Sequence, residues 1–188
     1  LALNGLAIDR KNFVWNVVLT LAHNTNKVLS LGNDEFKFPE ADKQRGGVGD
    51  GSVGWTSQKF QILEEGESVG NFFGYKFSRI GEDGVFYGLD ANGIEKKFSQ
   101  LKNKDKVILG NALPIITWGL SSSMSFYNVD FSFNLRGAIG GKILNTKRLA
   151  YGNNSSLASG NMIVSPDNGI TPPKVMTDYY LESGTFAK

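Results

Sequence analysis

The feature that most constrains the fold is a long stretch, from Ile116 to Ile139, in which apolar residues mostly alternate with small or polar ones. Apolar side chains occupy alternate positions, and small or polar residues lie between them. Successive side chains of a β-strand point to opposite faces, so this pattern predicts a hairpin with one apolar face and one polar face. The apolar set is Ile116, Trp118, Leu120, Met124, Phe126, Phe131, Phe133, Leu135 and Ile139, and the polar set includes Ser121, Ser123, Ser125, Asn134 and Arg136.

Period-two alternation extends over most of the chain and predicts an all-β, antiparallel fold. The best helix candidate is the lysine-rich segment at residues 94–106, where apolar residues recur at helical spacing. The predicted order is a hairpin at 1–22, a loop at 23–57, strands and loops at 58–112, a hairpin at 113–140, a loop at 141–178 and the start of a further strand at 179–188. Loops as long as these two are uncommon in compact domains and are usually functional or mobile.

Composition excludes several kinds of chemistry. The 188 residues include no cysteine and one histidine, His23, which excludes thiolate metal sites, cysteine nucleophiles and multi-histidine zinc sites. A net charge of +2 gives no electrostatic reason to expect a nucleic-acid partner. Glu64, Glu65 and Glu67 lie in one short segment, whereas glycosidase carboxylates flank their substrate, so surface charge is expected there. We predict no catalytic residues, no metal site and no cofactor.

The residues alone leave open whether the apolar face meets lipid or a protein core. A soluble all-β glycan-binding module, with loop aromatics for the sugar, would have the same alternation. Three features favour an outer-membrane barrel. The hairpin arms have about 10–12 residues, close to the 9–11 that cross a bilayer. Aromatic residues flank the short turns as in an interfacial girdle, and the opposite face is small and hydroxyl-rich, as a wet lumen would be.

Aromatic side chains in or beside the predicted loops are candidates for contact with a ligand. Flat rings stack well on sugars and peptides, although packing of the loop bases explains them equally well. The candidates are Trp55, Phe72, Phe73, Tyr75 and Tyr87, with Phe86 beside them.

Four segments, in order and covering most of the chain, are similar to a known set of sequence motifs. FVWNVVLTLAHNTNKVLSL is similar to FxWxxxxNxsxNkNkVxxL, and LEEGESVGNFFGYKFSRIGEDGVF resembles eGepiGxFyGYkxxGIf. VILGNALPIITWGLSSSMSFYNVDFSFNLRGAIGGKILN resembles iGNpxPkxtyGlxnsfxYknFdLsxxxxGxxGxxixN, with a specific Gly-Asn-x-x-Pro block at residues 110–114. YYLESGTFAK resembles xYLEDGSYLRLKN. The chain therefore resembles the SusC/RagA family of TonB-dependent outer-membrane transporters, to which these motifs belong.

The resemblance implies that the chain is a segment of a large barrel of about 22 strands in a Gram-negative outer membrane, in contact with lipid. It also implies import of an oligosaccharide or peptide, with a SusD-like surface lipoprotein as partner. The plug domain and the N-terminal region that contacts TonB would then lie outside this chain. The residues expected to line the lumen are Ser121, Ser123, Ser125, Asn134 and Arg136, whereas Trp118, Leu120, Phe133 and Leu135 are expected to face lipid.

Overall fold

The computed structural model describes residues 1–45, 59–82, 84–151 and 175–188. Trp55, one of the predicted ligand contacts, lies outside the described residues. The chain divides into two compact units. The first, here called the strand unit, comprises Leu1–Thr25, Leu113–Lys142 and Ser183–Lys188, and the second, the loop unit, comprises Asn26–Ala112 and Ile143–Glu182.

Most of the described elements are β-strands. In chain order the strands are β1 (Ala2–Arg10), β2 (Phe13–His23), β3 (Gln44–Arg45), β4 (Gln61–Ile62), β5 (Asn71–Gly74), β6 (Lys76–Ile80), β7 (Phe86–Leu89), β8 (Glu95–Lys97), β9 (Val107–Asn111), β10 (Ile116–Phe126), β11 (Val129–Ile139), β12 (Lys142–Leu144), β13 (Leu181–Ser183) and β14 (Phe186–Ala187). The helices are α1 (Glu40–Lys43) and α2 (Thr146–Tyr151), with 3₁₀ turns at Phe98–Gln100, Asn103–Asp105 and Asp178–Tyr180. No helix in the described residues is long and apolar enough to cross a membrane.

The strand unit is one antiparallel sheet with the strand order β1-β2-β10-β11-β14. Its two long hairpins, β1–β2 and β10–β11, lie side by side because β2 pairs with β10 along its whole length, from Phe13 opposite Phe126 to His23 opposite Ile116. The pairing of β10 with β11 is also uninterrupted. Continuous register matters here, because a slip of one residue would move every side chain of a strand to the other face.

Both long hairpins turn within two residues, at 11–12 and at 127–128. The two turns are adjacent, since the Tyr127 amide donates to the Asn12 carbonyl oxygen at 3.0 Å. Tyr127 has a φ of +52°, the left-handed region that two-residue hairpin turns require at their first position. These turns lie at one end of the long strands, which we call the turn end.

The loop unit contains a four-stranded sheet, β3-β4-β5-β9, and a three-stranded sheet, β6-β7-β8. Its core includes Leu149 of α2 and the fully buried Tyr180, with Phe60, Leu144 and Tyr179 packed against them. Both α1 and α2 fall inside segments that the sequence predicted as loops. The long connections of this chain therefore have secondary structure and an aromatic core of their own.

Residues 94–106, the best helix candidate in the sequence, form no α-helix. They form β8 and two 3₁₀ turns. The Asp90 carboxylate accepts a hydrogen bond from the Ile94 amide at 2.9 Å, and the Asp105 carboxylate accepts one from the Lys102 amide at 2.8 Å. Such bonds from a side chain to the backbone compete with helical hydrogen bonds, which explains why the apolar spacing was misleading.

Candidate functional site

One face of the sheet in the strand unit is polar and lined by small side chains. Residues that are in register share a face, so Ser121 lies on the same face as Asn134 of β11 and Val18 of β2. The five residues predicted to line a lumen all lie on this face, and each is exposed. We call it the polar face; it includes Asn16, Thr20, Thr117, Ser121, Ser123, Ser125, Ser132, Asn134 and Arg136.

The opposite face is apolar over almost its whole length. Leu120, for example, lies between Leu19 of β2 and Leu135 of β11. Several of its side chains are exposed, among them Phe131 at 59% and Val129 at 66%. A contiguous exposed apolar surface of this extent marks a membrane or protein contact. We call it the apolar face; it includes Phe13, Trp15, Val17, Leu19, Leu21, Ile116, Trp118, Leu120, Met124, Phe126, Val129, Phe131, Phe133, Leu135 and Ile139.

Ser122 is a polar exception on the apolar face. It is 4% exposed, and its hydroxyl oxygen accepts a hydrogen bond from the indole Nε1 of Trp15 at 2.9 Å. The bond satisfies both polar groups away from water, where an unpaired group costs several kcal/mol. The two partners are 107 residues apart in the chain, so the local alternation carried no sign of the contact.

Replacement of Ser122 by alanine is expected to destabilise the protein by about 1–3 kcal/mol, because it leaves the Trp15 N–H without a partner. Ser121→Ala, one residue away on the polar face, is the matched control and is expected to change stability by less than about 0.5 kcal/mol. Urea unfolding of the two purified variants, followed by tryptophan fluorescence, measures the difference. Equal free energies of unfolding would contradict the role given to Ser122.

Aromatic rings gather at the turn end of the strand unit. The rings of Phe13 and Phe126 meet edge to face with centroids 6.0 Å apart, and those of Phe126 and Tyr127 with centroids 4.8 Å apart. Tyr127 is 66% exposed. Its backbone has a positive φ, a conformation that disfavours a bulky residue. An amphipathic ring in that position is typical of the boundary between hydrocarbon and water.

The predicted ligand-contacting aromatic residues of the loop unit fall into two groups, buried and half-buried. Phe72 of β5 is 4% exposed and packs against Phe60, with ring centroids 6.5 Å apart. Phe86 is also buried. These two rings have no open face for a ligand, so we assign both to the core of the loop unit. Phe73 is half-buried and remains a candidate.

Tyr75 and Tyr87 are half-buried, and each lies beside cations. The Arg79 guanidinium is 4.3 Å from the centre of the Tyr87 ring, and the Lys97 ammonium is 6.0 Å from it. The Lys106 ammonium is 5.5 Å from the centre of the Tyr75 ring. Burial raises the pKa of Tyr75 and lowers the pKa of Lys106. Both tyrosines keep part of their surface accessible, so they are the better placed of the predicted contacts.

Asp178 holds the start of β6 in place, a role that sequence analysis missed. Its Oδ1 accepts a hydrogen bond from the Phe77 amide at 2.6 Å, and its Oδ2 is 3.6 Å from the Lys76 ammonium. The preceding residue, Thr177, is fully buried, and its hydroxyl oxygen accepts from the Tyr179 amide at 3.2 Å. The sequence placed residues 179–188 at the start of a strand and contained no signal for these long-range contacts.

The two tyrosines that follow Asp178 hold α2 in position through contacts with Arg148 and Asn145. The Arg148 guanidinium lies 3.9 Å from the centre of the Tyr179 ring. The Tyr180 carbonyl oxygen accepts a hydrogen bond from the Asn145 amide at 2.9 Å, just before α2 begins. Tyr180 is 0% exposed, and burial raises the pKa of its hydroxyl. Residues 178–180 therefore join the sheet β6-β7-β8 to α2 within the loop unit.

The acidic cluster in the sequence supplies structural hydrogen bonds. The Glu65 Oε1 accepts from the Leu31 amide at 2.8 Å, and the Glu67 Oε2 accepts from the Asn71 side chain at 3.4 Å. Within the described ranges, no group of three or more histidine, cysteine, aspartate or glutamate side chains is placed to hold a metal ion. These carboxylates stabilise the segments that precede β3 and β5.

Among the carboxylates of the described residues, Asp90 has the largest change in pKa. Its Oδ2 is 2.6 Å from the Lys96 ammonium, and its Oδ1 accepts from the amides of Asn92 and Ile94, both at 2.9 Å. The hydrogen bond from Lys96, supported by these amides, lowers the pKa of Asp90 to about 2. The negative charge is thereby held within the turn between β7 and β8.

The turn at Asp90 is expected to resist acid. The folded-state pKa of about 2 lies below the unfolded value near 3.9, so the stabilisation is present above that value and is lost as the pH falls through about 2. Hydrogen exchange should show the Asn92 and Ile94 amides protected at pH 4 and unprotected near pH 2. Asp90→Asn should weaken protection already at pH 7, and loss of protection in the unmodified protein at pH 5 would contradict the assignment.

No family model matches the chain, but curated relatives do. TonB-dependent receptor P3 of Formosa agariphila is 23% identical in an alignment of 195 positions, which covers 94% of this chain and 18% of the relative. TonB-dependent receptor SusC of Bacteroides thetaiotaomicron is 23% identical in an alignment of 203 positions, which covers 100% of this chain and 19% of the relative. The chain thus spans about a fifth of the length of the curated relatives it matches. These relatives are TonB-dependent receptors.

A solved structure has the same fold. A chain of the RagAB peptide transporter matches with a TM-score of 0.66 and 16% identity, over 100% of this chain and 21% of that chain. Together with the two-faced antiparallel sheet, this match confirms the predicted fold class, antiparallel strands that form part of a β-barrel. The similarity to TonB-dependent receptors confirms the predicted outer-membrane localisation. Within that class, the chain is similar in sequence to TonB-dependent receptors that include SusC, which agrees with the resemblance of its sequence motifs.

Proposed function

We propose that this chain forms barrel wall and ligand-facing loops of a receptor that imports a nutrient across the outer membrane. The observation that carries the proposal is the separation, with few exceptions, of an apolar face from a polar face over 11-residue strands. The polar face would line the lumen and the apolar face would meet lipid.

The length of the strands fits this role. At about 3.4 Å per residue, an 11-residue strand such as β10 is roughly 37 Å long. A tilt of about 40° reduces its height to roughly 28 Å, close to the apolar band of about 25 Å in outer-membrane barrels. The aromatic rings at the turn end would then lie at one membrane interface.

The chemistry of the two faces favours the same orientation. Asn134 and Arg136 have polar side chains that a hydrocarbon environment would penalise, by about 2–4 kcal/mol for an arginine at the midplane. Leu120 and its neighbours Leu19 and Leu135 have apolar side chains, which incur no such free-energy cost in hydrocarbon. Placing the polar face in a wet lumen therefore avoids a cost that the opposite orientation would incur.

The ligand of this receptor is proposed to be an oligosaccharide or a peptide. Support comes from the resemblance to the SusC/RagA family and from the structural likeness to a peptide transporter. We place ligand contacts at Phe73, Tyr75 and Tyr87, whose rings are partly accessible; Trp55 stays a prediction outside the described residues. A SusD-like surface lipoprotein is the proposed partner, and TonB would act through regions outside this chain.

The soluble glycan-binding module, the other interpretation of the sequence, is set aside. It requires the apolar face to be packed inside a closed core. In the strand unit Phe131 and Val129 on that face are more than half exposed. The relatives are outer-membrane receptors as well, so a surface for lipid explains the exposed apolar face without a further domain.

Growth of the native bacterium tests the import function. Deletion of the gene for the full receptor should abolish growth on one member of a panel of oligosaccharides and peptides, while growth on the corresponding monosaccharides and amino acids is unchanged. Loss of TonB should give the same defect, and the receptor should fractionate with the outer membrane together with a lipoprotein. Recovery of the protein in the soluble fraction, with unaltered growth on every substrate, would overturn the proposal.

A further inference from the structure

An open depression of about 400 Å³ lies within the loop unit, on the segment that connects β2 to α1. Its volume is in the range of sites for small ligands, about 300–1,000 Å³. Residues 30–34 and 36–38 form most of its lining, and Lys43 of α1 and Glu65 complete it. All of these residues belong to the loop unit, so the depression is formed inside one compact unit.

Phe36 presents an exposed aromatic ring at this depression. It is 55% exposed, and its ring meets the Phe38 ring edge to face, with centroids 6.4 Å apart. A single exposed apolar residue is common on a protein surface and needs no explanation by itself. Phe36 differs from such a residue because it lines a depression and because its backbone is held on both sides.

Hydrogen bonds fix the backbone that carries the Phe36 ring. The Asn33 Oδ1 accepts from the Phe36 amide at 2.6 Å, and the Asn33 amide donates to the Phe36 carbonyl oxygen at 2.8 Å. A Cβ atom at Gly32 would lie 2.5 Å from that carbonyl oxygen, so the tight turn requires glycine. The Leu31 amide donates to the Glu65 Oε1 at 2.8 Å. The ring is thus held before any ligand arrives, which lowers the entropic cost of binding.

Charged side chains of both signs lie around the ring. Asp34 and Glu65 supply carboxylates to the lining, and Lys37 and Lys43 supply ammonium groups, so the lining has no net charge. Lys43 also forms an ion pair with Glu40. The depression therefore has no excess of positive charge that would attract an anionic ligand. Carboxylates only accept hydrogen bonds and ammonium groups only donate them, whereas a hydroxyl group does both.

We propose that this depression is a subsite for one pyranose ring of a neutral oligosaccharide, stacked on Phe36. The apolar C–H face of a pyranose packs against a flat aromatic ring. Its hydroxyl groups can donate to the carboxylates of Asp34 and Glu65 and accept from the Lys37 ammonium. The inference rests on the proposed function, because the subsite serves the imported ligand. It adds Phe36 to the ligand contacts and narrows the ligand to an uncharged oligosaccharide.

Binding to the purified full receptor in detergent tests the subsite. The neutral probes are maltohexaose, laminarihexaose, xylohexaose and mannohexaose, and the contrasting probes are hexagalacturonate and a tryptic digest of casein. Saturation-transfer magnetic resonance identifies which probes bind, and calorimetric titration gives the Kd of each oligosaccharide. We expect saturable binding of at least one neutral probe and none of hexagalacturonate or casein peptides.

Phe36→Ala is expected to raise the Kd of the neutral probe roughly tenfold, since the stacked contact is lost, whereas Phe36→Trp should retain binding. Leu29→Ala is the matched control, because Leu29 is 86% exposed in the same segment and does not line the depression. It should leave the Kd unchanged. Removal of the exposed Phe36 ring should also leave the pattern of limited proteolysis unchanged.

Three results would overturn the proposal: no saturable binding of any neutral probe, binding of hexagalacturonate or casein peptides alone, or equal Kd values for Phe36→Ala and the unmodified receptor. Calorimetry requires no transport, so these failures are distinguishable from failure of the growth experiment. A receptor that supports growth on a peptide would keep the import function and lose this subsite.

Discussion

Replacement of Leu120 by arginine is expected to destabilise the receptor by about 2–4 kcal/mol and to reduce its yield in the outer membrane. Leu120 lies near the middle of β10 on the apolar face, between Leu19 and Leu135. An arginine there would have to be buried in hydrocarbon if this face meets lipid. Urea unfolding in detergent or bilayers and the amount of folded receptor in isolated outer membranes provide the two measurements.

Ser121→Arg is the matched control, because the next residue of β10 is on the polar face and exposed. It places the same charge at the same depth, but in the lumen, so stability should change by less than about 0.5 kcal/mol. Comparison of the two variants distinguishes an effect of the sheet's orientation from a general intolerance of β10 to arginine. A larger loss of stability from Ser121→Arg than from Leu120→Arg would reverse the assignment of the two faces.

The second large effect is expected at Tyr180, where alanine should destabilise the loop unit by about 3–5 kcal/mol. The ring is fully buried in the core with Leu149, Phe60 and Leu144. Its removal would leave a cavity beneath α2, so α2 and the sheet β6-β7-β8 should become accessible. Limited proteolysis of the full receptor, with fragments identified by mass spectrometry, should show new cleavage within the loop unit and none within β10–β11.

Ile94→Ala is the comparison for this variant. Ile94 is in the same unit and is 56% exposed, so loss of its side chain should have little effect on proteolysis. Equal resistance of Tyr180→Ala and Ile94→Ala to protease would show that residues 178–180 do not hold the loop unit together.

The antiparallel all-β fold could be predicted because its signal is local. On β10 and β11, side-chain polarity changes at almost every residue, and a strand converts that order directly into two faces. The positions of Ser121 and Asn134 on one face follow from the same rule. Residues 94–106 show the limit of local patterns. Their apolar residues have helical spacing, but no α-helix forms because the Asp90 and Asp105 carboxylates accept hydrogen bonds from the Ile94 and Lys102 amides.

Among the candidate ligand contacts, the sequence could name aromatic residues but could not tell which rings are covered. Phe72 and Tyr75 are three residues apart and looked equivalent. In the fold, Phe72 packs against Phe60 from the preceding segment, whereas Tyr75 keeps an accessible surface beside Lys106. Burial depends on which distant segments pack against a ring, and that information is not in the order of neighbouring residues.

The sequence by itself determined the alternation, the two faces and the family motifs, because each depends on residues close together in the chain. Only the tertiary structure decided that Ser122 satisfies Trp15 on the apolar face and that Asp178 and Tyr180 hold the loop unit. These contacts join residues about 30 to more than 100 positions apart, and their partners are set by strand register and packing, which local patterns do not encode.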